Sequence, residues 1–254
     1  PESHAAALLP ASPSPAADAP TEIRWNPLAV RDDFPALARE VRPGVPLIYL
    51  DNAATVLKPW PVIRAVTRYD VEYPANIHRG VHTLSELATE AYEFARATVA
   101  RLLHVEDSAQ VIFTRGTTES INLVAAAWGR ANLRPGDEIL LTLLEHHANL
   151  VPWQMIAQAV GASVRFVEVD ETGAIDLEDY QRRLGTGRVR IVATTAMSNV
   201  VGTEPPLDRM IAQAHDAGAL VLVDAAQAVP HHGFDVGRLD PDFLAFSGHK
   251  LGGP

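Results

Sequence analysis

Residues 221–232 read VLVDAAQAVPHH and residues 239–250 read LDPDFLAFSGHK. Val221, Leu222 and Val223 form an apolar, β-branched run too short for a helix, which predicts a buried strand with Asp224 at its C-terminal end. Phe243 to Phe246 is a second run of this kind, followed by Ser247, Gly248, His249 and Lys250. The chain has two lysines, Lys58 and Lys250, and the second follows a strand-like segment and a glycine instead of lying on a solvated helical face. An acid therefore closes one core strand, and an amine stands just past another.

Enclosure disfavours a charged ammonium, lowers its pKa and leaves an amine able to form an imine with a carbonyl compound. Pyridoxal phosphate is the carbonyl cofactor that suits such a lysine, and its ring nitrogen takes an aspartate partner. The same residues also allow a plainer assignment, with Asp224 capping a turn and Lys250 on the surface.

A chain of 254 residues can bury one substantial core, or a core plus a small lobe. Thirty-one acids against 21 Lys and Arg give a formal charge of -10, which argues against a general nucleic-acid binder. No stretch reaches the roughly 18 consecutive apolar residues of a membrane span, and no basic segment with an apolar core opens the chain. The expectation is a cytoplasmic protein with no membrane partner. Its zero cysteines exclude disulfides, thiolate metal sites and a cysteine nucleophile within these residues.

Residues 1–25, rich in Ala, Pro and Ser, predict a disordered or extended tail. Residues 26–70 read as a segment leading into the core, with a short helix around 28–37, a strand at 47–50 before Asp51–Ala54, and a helix over 59–69 begun by proline. Asn76 to His82 form a polar cluster. Leu84, Leu87, Ala88, Ala91, Ala95, Val99 and Leu102 recur at helical spacing and predict a long amphipathic helix packed on the core. A strand is expected at 110–114, then a turn into a helix carrying Ile121, Val124 and Trp128 inward. Beyond it, strands at 138–142, 164–169 and 190–195 alternate with helices at 152–160, 177–184 and 207–214 before the strand at 221. Such alternation argues for an α/β layer fold with a largely parallel sheet, in which ligands bind beyond the strand ends.

Two further stretches carry candidate chemistry. Gly116, Thr117 and Thr118 open a helix, where free N–H groups and hydroxyls can cradle a phosphate, although ordinary caps use the same residues. Glu145, His146 and His147 raise the possibility of zinc, but adjacent histidines converge poorly on one ion and the HExxH spacing is missing. Neither GxGxxG after the first strand nor GxxxxGK[ST] occurs, so nucleotide binding lacks its usual support.

Tyr49–Ala54, Asn76–Ser85, Arg115–Asn122, Glu145–Trp153 and Asp224–Lys250 together resemble the aminotransferase class V enzymes, nearest the group II, sulfur-mobilisation type of cysteine desulfurase. The likeness runs from Leu28 to Pro254. It implies the large domain of a fold type I pyridoxal-phosphate enzyme, a largely parallel mixed sheet flanked by helices, with residues 71–254 forming an incomplete version cut short after the cofactor lysine. By this resemblance Lys250 holds pyridoxal 5'-phosphate, Asp224 pairs with the pyridine nitrogen, and Gln227 contacts the phenolic oxygen. Thr117 and Thr118 meet the phosphate, Asn199 supports the ring oxygen, and Ser247 and His249 flank the lysine. His146 stacks on the ring and shares proton transfer with Lys250, while Asn52, Ala53, His78, Arg79 and His147 shape the substrate pocket. Ala196 and Gly252 depart from the family, which has histidine and tyrosine at these places.

The implied reaction converts L-cysteine to L-alanine, with sulfur passing to an enzyme cysteine and then to a sulfur-acceptor protein. The cysteine and the arginine that clamps the substrate carboxylate are expected in a C-terminal segment or separate chain, and the assembly is expected to be a homodimer. Selenocysteine lyase, a non-catalytic cofactor-binding scaffold and half of a split enzyme are the alternatives.

Overall fold

The computed structural model describes residues 26–254, so the tail expected at 1–25 lies outside the described residues. Asn26 caps the first helix, Pro27–Arg31 (α1), by accepting the Leu28 N–H at 3.0 Å. The helix expected around 28–37 is split, because Phe34 precedes a proline and takes an extended backbone before the 3₁₀ turn Pro35–Ala38. A hairpin of Glu40–Arg42 (β1) and Val45–Pro46 (β2) follows.

The strand expected at 47–50 does not form. The Leu47 N–H still donates to Arg39 O at 2.9 Å, but the pairing goes no further, and Ile48 and Leu50 are 78% and 88% exposed. Trp60–Glu72 (α2) starts from prolines as expected, and Thr83–Leu102 (α3) is capped by His82. The apolar stripe of α3 is only partly covered: Ala88 and Ala100 are buried, whereas Leu84, Leu87 and Leu102 stay exposed. The strand expected at 110–114 is also absent. Ser108–Gln110 makes a 3₁₀ turn, and the extended residues after it pair with no strand.

Thr117–Val124 (α4) runs through a π-helical turn, Ala125–Gly129, into Arg130–Asn132 (α5). Ile121 is fully buried, and Trp128 packs edge-on against Phe243. The rest alternates: Glu138–Thr142 (β3), Val151–Val160 (α6), Ser163–Val167 (β4), Leu177–Leu184 (α7), Val189–Thr195 (β5), Leu207–Asp216 (α8), Leu220–Asp224 (β6), Ala228–His232 (α9), Val236–Leu239 (α10) and Phe243–Ala245 (β7).

The main sheet has the order β4-β3-β5-β6-β7, and every pairing in it is parallel. Strand residues alternate between two apolar layers, as the pleat requires. Leu140, Val192, Val221 and Val223 join Tyr180 and Met210 on one face; Ile139, Leu141, Ile191, Ala193 and Leu222 join Ile121 and Trp153 on the other. Both faces are covered, so the strands read as nearly continuous hydrophobic runs. No helix among the described residues is long and apolar enough to cross a membrane.

This strand order positions the site. From β3 the chain steps outward to β4, then returns to β5 and proceeds the other way to β6 and β7. Loops leaving β3 and β5 therefore diverge, and a crevice opens between their C-terminal ends.

Candidate active site

Asp224 ends β6 two residues after Leu222, so it faces the α4 and α6 side of the sheet. Its carboxyl is buried and, among the described residues, accepts one hydrogen bond, from the Ala226 N–H at 3.0 Å. Burial pushes its pKa up, against the pull of that N–H and of the Lys250 and His146 charges. Lys250 closes the 3₁₀ turn Gly248–Lys250 after β7 and is half-buried. Burial lowers its amine pKa while Asp224 opposes the shift, so acid and amine stand within each other's field at one sheet edge.

The start of α4 reaches the same edge. Gly116 has φ +112°, and a Cβ there would come 3.2 Å from Ser247 Oγ, so glycine permits both the backbone and the approach. Ser247 Oγ accepts the Thr117 N–H at 2.9 Å and pairs with Thr117 Oγ1 at 2.7 Å. The two threonines thus diverge: Thr117 is buried against Ser247, and Thr118 is exposed beside the surface pair Arg115–Glu119.

A strap of residues 51–58 crosses the lysine turn. Gln227 Nε2 donates to Ala53 O at 2.9 Å, and the Val56 N–H donates to His249 O at 3.1 Å. Lys58 Nζ donates to the same His249 oxygen at 3.0 Å and to Val56 O at 3.2 Å, while His249 Nδ1 lies 3.1 Å from Thr55 Oγ1. Sequence reasoning missed Lys58 as a strut; its rarity as one of two lysines was the available signal. Asn52 and Ala53 themselves face solvent.

The remaining predicted residues fall in two groups. His146 follows β3 and caps the 3₁₀ turn His147–Asn149 by accepting the Ala148 N–H at 3.1 Å; His147 lies edge-on to it. Asn199 is exposed on the turn after β5. His78 takes φ +66° and turns to α3, with its Nε2 2.7 Å from Glu93 and its N–H donated to Thr89. Arg79 lines a separate cavity with Tyr69, Asn76 and His82. Among the described residues, no hydrogen bond or ion pair joins His78 or Arg79 to the Lys250 cluster.

Glu145 is the residue that the sequence presented only as an acid beside two histidines. Its Oε1 accepts Thr142 Oγ1 at 2.5 Å and the Thr195 N–H at 3.0 Å, and its Oε2 accepts Asn149 Nδ2 at 2.7 Å.

The aminotransferase class V family profile matches residues 48–254. The chain belongs to the aminotransferase class V family. This class V chain is 48% identical over 229 residues to a probable cysteine desulfurase of Halalkalibacterium halodurans, covering 90% of itself and 56% of that protein. It is 51% identical over 225 residues to a cysteine desulfurase of an Enterobacter species, covering 89% and 55%. Among solved structures it superposes on a cysteine desulfurase of Thermococcus onnurineus with a TM-score of 0.82 at 40% identity, covering 90% of itself and 55% of that chain. A cysteine desulfurase of Escherichia coli gives 0.79 at 46%, covering 91% and 56%. The class V chain therefore spans about 55% of the length of these relatives.

The residues present fit pyridoxal phosphate. A buried carboxyl whose second oxygen accepts no hydrogen bond from the described residues faces an amine of lowered pKa, and a helix N-terminus opens on the same edge.

Proposed function

We propose that this chain is the cofactor-binding part of a pyridoxal-phosphate-dependent cysteine desulfurase acting on L-cysteine. The observation that carries the reading is that β6, the turn after β7 and the loop after β3 deliver Asp224, Lys250 and His146 to one edge of the sheet, where the Lys250 and His146 charges act on Asp224. When bound, the cofactor supplies an aldehyde for amines and an electron-poor ring that takes up an electron pair.

The chain's own residues do the rest. Lys250, its amine held toward the neutral form by burial, would hold the cofactor through Nζ and exchange protons at that atom. Asp224 would offer its second oxygen to the ring nitrogen. Gln227, fixed through Ala53 O, would serve the phenolic oxygen together with Asn199. Thr117, Thr118 and Ser247 serve the phosphate, with His249 pinning the lysine turn to the strap. His146 would cover the ring and carry protons at Nε2, its Nδ1 being taken by the Ala148 N–H, and Asn52, Ala53, His78, Arg79 and His147 would serve the substrate side.

No cysteine is present in these residues, so the sulfur-accepting thiol belongs to a C-terminal segment or a second chain, and a sulfur-acceptor protein takes the sulfur onward. A homodimer in the cytoplasm completes the reading, which rests there on the family resemblance. The deciding experiment is intact mass after borohydride treatment with pyridoxal phosphate. A phosphopyridoxyl adduct on wild type that vanishes in Lys250→Ala is expected; an unmodified wild type overturns the reading. Alanine release from L-cysteine is expected once a cysteine-bearing C-terminal segment is supplied, and its failure to appear favours a non-catalytic scaffold.

A further inference from the structure

We propose that Glu145 is a positioning residue that ties the C-terminal ends of β3 and β5 to the head of α6, and so fixes where His146 stands at the mouth of the crevice. Three donors converge on its carboxyl from three separate elements: the Thr142 hydroxyl at the end of β3, the Thr195 N–H at the end of β5, and the Asn149 amide before α6. Asn149 is fully buried, and its Oδ1 in turn accepts Trp153 Nε1 at 3.0 Å from the centre of the α6 core. The carboxyl thus bridges the point where the loops leaving the sheet part company, which no backbone ladder can do.

Its location bears on the proposed chemistry. Thr195 is the register partner of Asp224, so the N–H that Glu145 holds belongs to the residue beside the ring-facing acid. His146 follows Glu145 directly, and its own ring is held from the other side by the Ala148 N–H. Glu145 thus holds the backbone that leads into His146, and the Ala148 N–H holds its ring.

A carboxyl is needed because three donors require acceptors on both oxygens, whereas a glutamine amide has only one acceptor oxygen. In Glu145→Gln the new NH₂ would oppose the Asn149 NH₂, donor against donor. Retaining an acid here has a cost. Burial, with the nearby Asp224 charge, pushes the Glu145 pKa up to about 7 against the three hydrogen bonds.

The link to the cofactor rests on the function proposed above, but the test on His146 does not require cofactor. The readout is the His146 ring resonance in the chain without added cofactor, assigned by its loss in His146→Gln. Wild type is expected to give a single sharp signal, and Glu145→Gln a split or several-fold broadened one. The double variant Glu145→Gln/Asn149→Asp reverses the donor and acceptor between the two side chains and is expected to restore the single signal. Tyr180→Phe, which removes a buried hydrogen bond to Met210 O on the other face of the sheet, controls for general loss of stability. An unchanged His146 signal in Glu145→Gln, equal disturbance by Tyr180→Phe, or no recovery in the double variant would overturn the proposal. Absence of a borohydride adduct on wild type sinks the functional reading alone and leaves the His146 result to decide this one.

Discussion

Asp224, Thr195, Gln227, Thr117 and Ser247, at the floor of the site, are each at most 6% exposed, whereas Asn52 and Ala53 on the strap at its rim, like His78 and Arg79 further off, all face solvent. Asp224 and Thr195 end strands, Gln227 and Ser247 follow them and Thr117 opens α4, and bonds between elements hold Thr195, Gln227, Thr117 and Ser247. The rim strap is attached mainly through main-chain oxygens, Ala53 O to Gln227 and His249 O to Val56 and Lys58. Side-chain identity is thus decisive on the floor, while at the rim the path of the backbone matters more.

The sharpest test of this contrast is covalent. Lys250→Ala should abolish the borohydride adduct completely, while His78→Ala, further off, should keep it; loss in both would erase the distinction. Next comes stability. Trp153→Ala, which empties a fully buried site under the floor, should cost about 3–5 kcal/mol in denaturant unfolding.

A pH effect follows. The folded pKa of Glu145, about 7, lies above its ordinary 4.5, so its stabilising contribution is complete below about 4.5 and lost as pH rises through about 7. Asp224, also raised, acts in the same direction, opposed by the Lys250 and His146 charges, while Glu145 has the Asp224 charge beside it. Wild type should therefore lose urea stability between about pH 4.5 and 7 relative to Glu145→Gln, and parallel curves would contradict the assignment. Lys58→Met should cost only about 1 kcal/mol, the net worth of a hydrogen bond or two, and should speed amide exchange at Thr55 and Val56. Smallest of all, Leu50→Ser on the exposed rim should stay within about 0.5 kcal/mol of wild type; a larger loss would mean that the rim is packed after all.

Local patterns were enough for much of the scaffold. Leu177–Leu184 reads as a helix to the residue because Asp176 caps it, accepting the Glu178 and Asp179 N–H groups, and Gly185 follows. Asp224 and Lys250 stood out because short apolar runs deliver them to a ligand-binding edge. The stretches at 47–50 and 110–114 had the same local signal but form no strand pairing among the described residues, and pairing is a property of the sheet.

What the amino-acid order determined by itself was the alternation of strand and helix, and with it the edge on which an acid and an amine emerge, because apolar periodicity acts between near neighbours. What only the tertiary structure decided was which side chains close on one another there: Thr117 but not Thr118 on Ser247, 130 residues away; Lys58 on His249, 191 away; and Glu145 on Thr195, 50 away. Those contacts exist only after the sheet has assembled in its order, since hydrogen bonds across such separations require the core to have met the entropy of bringing the segments together.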